Sequence, residues 1–428
     1  MSDASTGTGT GDGAVPLEET ASPTAAAAEP LIPPAPPKPP SRFDRSIVEG
    51  PLAPAVWKIA WPTMLGNMIG GLQGIVDHVM VGHYVGFAGN AAIGVSWQIF
   101  LVVIVFISSL FTGMSVLVAR FAGAGDDDKV NRTVYQAFLT AIFLSLGVLA
   151  PLGWVLSPAL LDLVNATPEV TAEALPYLRI MFVYSSGMLL FFMLGGALRS
   201  AGDARTPLRL GIVVTALNIA LNIVLIRGLG PIPAFGTAGA AMGTVIAAGV
   251  VGVYALLKLL GTSWVVGFPR GGPWRPDWTI IRALFRFGLP TGVQGIAMNV
   301  GGVLLLRFIG SLEQSAAAQA ASAVGYTQLF SLITWTSVGL MGAAATIAGQ
   351  TLGAGNPDRA VEGVRVAARI GLGVAAVIGA SFVLIPQYLL AVFGMTEPEV
   401  LRIGRGLLAY LSVSGLFITV ALSYTGGL

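Results

Sequence analysis

The chain has no cysteine and only two histidines among its 428 residues. Disulfides, thiolate metal sites and thiol nucleophiles are therefore excluded, and a histidine-rich metal centre lacks ligands. Charge is scarce too. Asp, Glu, Lys and Arg make up 10% of the residues, against about 25% in a soluble domain. A net charge of +2 gives nucleic acid no basic footprint. The apolar stretches hold no paired carboxylates and no serine–histidine pair, so the chain is not expected to be an enzyme. What is abundant is apolar: 54% hydrophobic residues and a mean hydropathy of +0.79, the composition of a membrane protein.

Residues 1–48 differ from the rest. They are rich in Pro, Ala, Thr, Gly and Glu, with a proline run from Pro33 to Pro40. Without apolar periodicity this segment is expected to be a disordered cytoplasmic tail, and it has no secretory signal pattern.

The remainder repeats itself at a spacing of roughly 230 residues. Pro62-Thr63 recurs as Pro290-Thr291, and Gly123-Ala124-Gly125 as Gly353-Ala354-Gly355. Glu169-Val170 recurs as Glu399-Val400, Tyr177-Leu178 as Tyr410-Leu411, and Gly195-Gly196 as Gly426-Gly427. A span needs about 20 apolar residues, which places helices at about 56–82, 90–120, 132–157, 172–198, 206–228 and 237–260. A second set falls at about 279–310, 316–350, 359–385 and 400–425. The fold class is thus all-α: a polytopic membrane protein of two pseudo-repeated lobes, one of six helices and one incomplete at four. The lobes are residues 49–262 and 279–428, joined by a cytoplasmic linker over 263–278. The second copy stops at Leu428, where the repeat predicts counterparts of Arg199 and Asp203, so the reading frame is expected to be shortened before helices 11 and 12.

Loop charge orients the bundle. Lys38, Arg42, Arg45 and Lys58 flank the first helix, Lys129 and Arg132 follow the second, and Arg205 and Arg209 follow the fourth. Arg270, Arg275, Arg282 and Arg286 occupy the linker region, and Arg359 and Arg365 follow the eighth helix. The alternate loops are poorer in basic residues. The positive-inside rule then puts the N-terminus and the even loops in the cytoplasm.

Asp77 is the main candidate for chemistry. It lies in the apolar run Gly70–Gly82, 15 residues after Pro62, or about 22 Å along a helix. A carboxylate at bilayer depth costs roughly 2.5–3.5 kcal/mol, and taking up a proton removes that charge. One reading makes it an ion-coupling group. The other makes it an interfacial acid that caps or pairs with a neighbour. Pro62 removes a backbone hydrogen bond and permits a helix bend. Asn218 and Asn222 share a face of helix 5 and, with Thr244 on helix 6, form either a partner set for Asp77 or packing between helices. Gln73, one turn before Asp77, and Met298 and Asn299 on helix 7 are candidates for lining a substrate cavity. No metal site is expected.

Taken together, these residues resemble the multidrug and toxic compound extrusion (MATE) family. The likeness rests on Pro62, Asp77 and Gly82, on Ala119-Arg120-Phe121-Ala122-Gly123-Ala124-Gly125, and on Leu198-Arg199-Ser200-Ala201-Gly202-Asp203 through Pro207. Gln350-Thr351-Leu352-Gly353-Ala354-Gly355-Asn356 adds to it. It runs from about residue 50 to the end, and Val76-Asp77 with Val81-Gly82-His83 is most similar to the DinF-like branch. The resemblance implies a secondary antiporter exporting small amphipathic or cationic compounds in exchange for protons or sodium ions. It implies Asp77, Asn218, Asn222 and Thr244 as the ion-coupling set and Pro62 as the bend. It further implies no cofactor beyond the coupling ion, a monomer in the bacterial inner membrane, and small-molecule substrates and lipid as the partners. Some members carry an acid where this chain has Asn222, and its absence tilts the expectation toward protons. The alternative is a lipid-linked oligosaccharide flippase of related topology, disfavoured by an acid rather than bases at mid-membrane.

Overall fold

The computed structural model describes residues 43–261, 264–269, 274–311, 318, 321–393 and 397–427. The proline-rich tail up to residue 42 and linker positions 270–273 lie outside these. All the long elements are helices. They are α1 (Leu52–Tyr84), α2 (Phe87–Gly123), α3 (Asp127–Leu163), and α4 in two parts (Pro168–Val183 and Ser186–Ser200). Then come α5 (Arg205–Arg227), α6 (Gly236–Leu260), α7 (Trp278–Gly310), α8 (Val324–Gly353), α9 (Pro357–Leu384) and α10 (Pro398–Gly427). These agree in order with the ten expected spans.

Seven of these helices are long and apolar enough to cross a membrane, and α4 makes an eighth if its parts, bent by 52°, count as one span. The bend falls at Tyr184 and Ser185, with no proline at the break. α1 has full spanning length but falls outside that set, because Asn67, Gln73 and Asp77 interrupt its apolar run. A π-turn over Phe143–Leu149 interrupts α3, and another over Ala323–Leu329 opens α8.

Two contacts across the lobes repeat each other. At the end of α2, a Cβ on Gly123 would meet the Gln350 carbonyl oxygen at 1.8 Å, and at the end of α8, one on Gly353 would meet that of Arg120 at 1.9 Å. Gln350 and Arg120 are themselves counterparts in the repeat, so this is one contact made twice about a pseudo-two-fold axis. Only glycine admits such a close backbone approach. Around this clasp Gln350 Nε2 donates to the Ser200 carbonyl at 2.7 Å, and Thr346 Oγ1 donates to that of Arg199 at 3.4 Å. Further along, α2 meets α7, where a Cβ on Gly288 would lie 2.4 Å from the Ser109 oxygen. The first turn of α7 is anchored on α3 by an Arg132–Asp277 ion pair at 2.7 Å. Away from the clasp, a Cβ on Gly70 or Gly74 of α1, or on Gly301 or Gly302 of α7, would meet no other described element within 4 Å.

Within the stretch expected as tail, the described residues include a helical turn (Ser46–Glu49), and Phe43 and Ile47, four apart, are both buried. Their apolar character is masked in sequence by the prolines upstream. Asp44 pairs with Lys58 and accepts from the Ser46 N–H at 3.0 Å. Burial alone would raise the Asp44 carboxyl, but the bonds from Lys58 and Ser46 outweigh it and hold the group below its ordinary range. That tether is complete above the usual carboxylate range and is lost as pH falls through the lowered value.

Candidate functional site

The site is built where α1, α4, α5 and α6 meet in the first lobe. Its foundation is close packing of α5 on α6. Gly239 and Gly243, four apart on α6, let the α5 backbone approach: a Cβ on Gly239 would sit 2.5 Å from the Leu225 oxygen. A Cβ on Gly243 would sit 2.0 Å from Asn222 Oδ1. The Asn222 amide therefore lies flat on bare backbone, its Oδ1 buried and without a hydrogen-bond partner.

That placement turns the other end of the amide to α1. Asn222 Nδ2 donates to Asp77 Oδ1 at 2.7 Å. One turn earlier, Asn218 is also wholly buried. The amide orientation that satisfies its surroundings points Nδ2 at Asp77 Oδ1 at 3.1 Å and its oxygen at Thr244 Oγ1 at 3.0 Å. The Thr244 hydroxyl also reaches the Ala240 carbonyl at 3.1 Å, which fixes its rotamer. One turn before Asp77 on α1, Gln73 Oε1 accepts from Thr215 Oγ1 at 2.8 Å, a second polar bond between α1 and α5. Asp77 itself is half-buried. Among the described residues no basic side chain forms an ion pair with it. It is a carboxylate held by neutral donors within the helical bundle.

Asp77, Asn218, Asn222, Thr244 and Gln73 are thus brought together. Met298 and Asn299 are not. They lie on α7, which packs on α2 and α3. Met298 is 61% exposed, and Asn299 Nδ2 folds back onto its own helix to the Gly295 oxygen at 2.9 Å. The helix is continuous through Pro62, which is buried and has no N–H for the Lys58 carbonyl. His78 turns to α2, where a ring nitrogen meets Asn90 Oδ1 at 2.6 Å. Among the described residues no group of three or more metal-ligating side chains occurs.

Two participants were not singled out from sequence. Gly243 is one of 56 glycines, and nothing local distinguishes it. Tyr177 on α4 is buried within electrostatic reach of Asp77. Its recurrence as Tyr410 was the one available signal, and it served there only as a landmark of the repeat.

Comparison with known proteins agrees with this architecture. The MatE family profile matches residues 62–224 and 290–428. A probable multidrug resistance protein NorM of Thermotoga maritima is 26% identical over 376 residues, covering 87% of this chain and 78% of the relative. Multidrug resistance protein PmpM of Pseudomonas aeruginosa is 28% identical over 362 residues, covering 82% and 73%. Among solved structures, a crystal structure of MATE in complex with MaD3S superposes with a TM-score of 0.79 at 19% identity, covering 89% of this chain and 84% of that one. The outward-facing conformation of a multidrug resistance MATE family transporter gives 0.77 at 19% identity, covering 89% and 86%. With the family profile spanning both lobes, this chain belongs to the MATE family of integral membrane transporters and is not an enzyme.

Proposed function

We propose that the protein is a proton-coupled antiporter that exports small amphipathic or cationic compounds. The observation that carries this reading is Asp77: one carboxylate inside the first lobe, held by the Asn222 and Asn218 amides and by no cation among the described residues. Ionised, it attracts a cationic compound toward the first lobe. Protonated, it no longer does, and substrate leaves. Both amides turn N–H groups rather than oxygens to the carboxylate, which supports a proton over a sodium ion as its partner. The clasp closes the end bearing the basic loops, and the positive-inside rule makes that end cytoplasmic. The described state is then open outward, with the N-terminus in the cytoplasm of a bacterial inner membrane. The protein works as a monomer without an organic cofactor.

The test is substrate efflux from proteoliposomes under an imposed pH gradient, with and without sodium. Asp77→Asn keeps the size and the hydrogen bonds but cannot ionise. It is expected to reduce gradient-driven export at least tenfold, as an essential coupling group should. Export by this variant at the wild-type rate defeats the proposal.

A further inference from the structure

Phe43–Gly50 reaches both lobes at the clasped end. Phe43 is buried in the first-lobe core. Ile47, 0% exposed, sits in a separate apolar cluster built from α1 (Val56, Ile59), α8 (Ala344, Ile347) and Ala204 just before α5. Its Cδ1 atom lies against Gly202 in the loop between α4 and α5, 2.8 Å from where a Cβ would be. On the second lobe, Arg359 at the start of α9 donates through Nη2 to the Ile47 carbonyl at 3.2 Å and to the Gly50 carbonyl. The strap is also tied to α1 by Asp44 and Lys58.

We propose that Phe43–Gly50 is a latch, holding the two lobes together at the clasped end and releasing one of them whenever that end opens. Ile47 is wedged between the α4–α5 loop of one lobe and the α8 and α9 contacts of the other. The lobes cannot part there while it stays in both. Arg359 is the tie to the second lobe, since it holds two strap carbonyls that helix Ser46–Glu49 leaves without helical partners. The consequence for transport rests on the alternating cycle proposed above, whereas the latch itself is a statement about two conformations.

The absence of native cysteine makes the test direct. Spin labels on cysteines placed at exposed Arg209 of α5 and exposed Val361 of α9 report the lobe separation at this end by pulsed electron resonance. In detergent or nanodiscs the otherwise unmodified chain is expected to show mainly the short, clasped distance. Arg359→Ala and Ile47→Ser should each raise the longer-distance population about tenfold relative to the short one, on the scale of a lost hydrogen bond to a charged group. Distributions that superimpose on the parent for Arg359→Ala overturn the latch. That variant removes no core volume, so it decides the matter even if Ile47→Ser does not accumulate. Export measured alongside separates the two readings. Shifted distances with no export in any chain strike the antiport proposal alone, and unchanged distances with normal export strike the latch alone.

Discussion

Gly243→Ala is the sharpest perturbation of the site, because it adds one methyl at a position touching neither Asp77 nor any solvent-exposed surface. The new Cβ would stand 2.0 Å from Asn222 Oδ1, where ordinary contact needs about 3.4 Å. Asn222 is fully buried and short, so the amide must withdraw by more than an ångström and its Nδ2 leaves the 2.7 Å bond to Asp77. Helix propensity acts the other way, favouring alanine over glycine by about 1 kcal/mol, so any loss comes from the site. A bond to a charged group contributes about 1.5–3 kcal/mol in general, and polar bonds inside membranes average nearer 0.6. Taking about 1–2 kcal/mol, pH-gradient-driven efflux should fall between about fivefold and thirtyfold, with protein level unchanged. A double-mutant cycle supplies the control: with Asn222→Ala there is no Oδ1 to meet, so adding Gly243→Ala should change little. Wild-type export by Gly243→Ala refutes the reasoning. So does an equal loss on both backgrounds, which would place the effect in helix packing.

At the clasp, Gly123→Ala or Gly353→Ala sets a methyl against a carbonyl that cannot rotate away, so either change should drive the ends of α2 and α8 apart. Each alone should lengthen the spin-label distance at that end, and the double variant should add little, because one methyl already breaks the shared contact. In the second lobe the buried Ser337 and Thr419 hydroxyls lie 2.7 Å apart between α8 and α10. Ser337→Ala should lower thermal stability by about 0.5–1.5 kcal/mol, read as a fall of a few degrees in detergent, without altering export.

The sequence showed most plainly whatever breaks an apolar pattern. Asp77 stood out because a charge interrupts a membrane run, and Asn218 and Asn222 because four-residue spacing puts two amides on one stripe. Their common target followed once α1, α5 and α6 were placed side by side. Features that depend on packing alone left no such trace. Gly243 matters through the space it leaves, whereas the break of α4 at Tyr184 does carry a local signal, the small polar step Ser185-Ser186-Gly187 between apolar flanks. The strap at Phe43 and Ile47 was hidden by its proline-rich surroundings. Met298 and Asn299 were placed by their position on helix 7 alone, and such a position says where a residue stands on a helix, not whether its side chain reaches the partner helix.

If Asp77 carries the coupling proton as proposed, a carboxylate held by neutral amides also sets the energetics of exchange. One titratable group admits one proton per turnover, worth about 1.36 kcal/mol for each pH unit across the membrane. If the cargo is a monovalent cation, the swap moves no net charge, the transmembrane voltage does no work, and accumulation cannot exceed about tenfold per pH unit. A neutral cargo carries the proton's charge uncompensated, so every 100 mV adds about 2.3 kcal/mol, a further factor of roughly fifty. The voltage dependence of efflux therefore reads out the valence of whatever this protein expels.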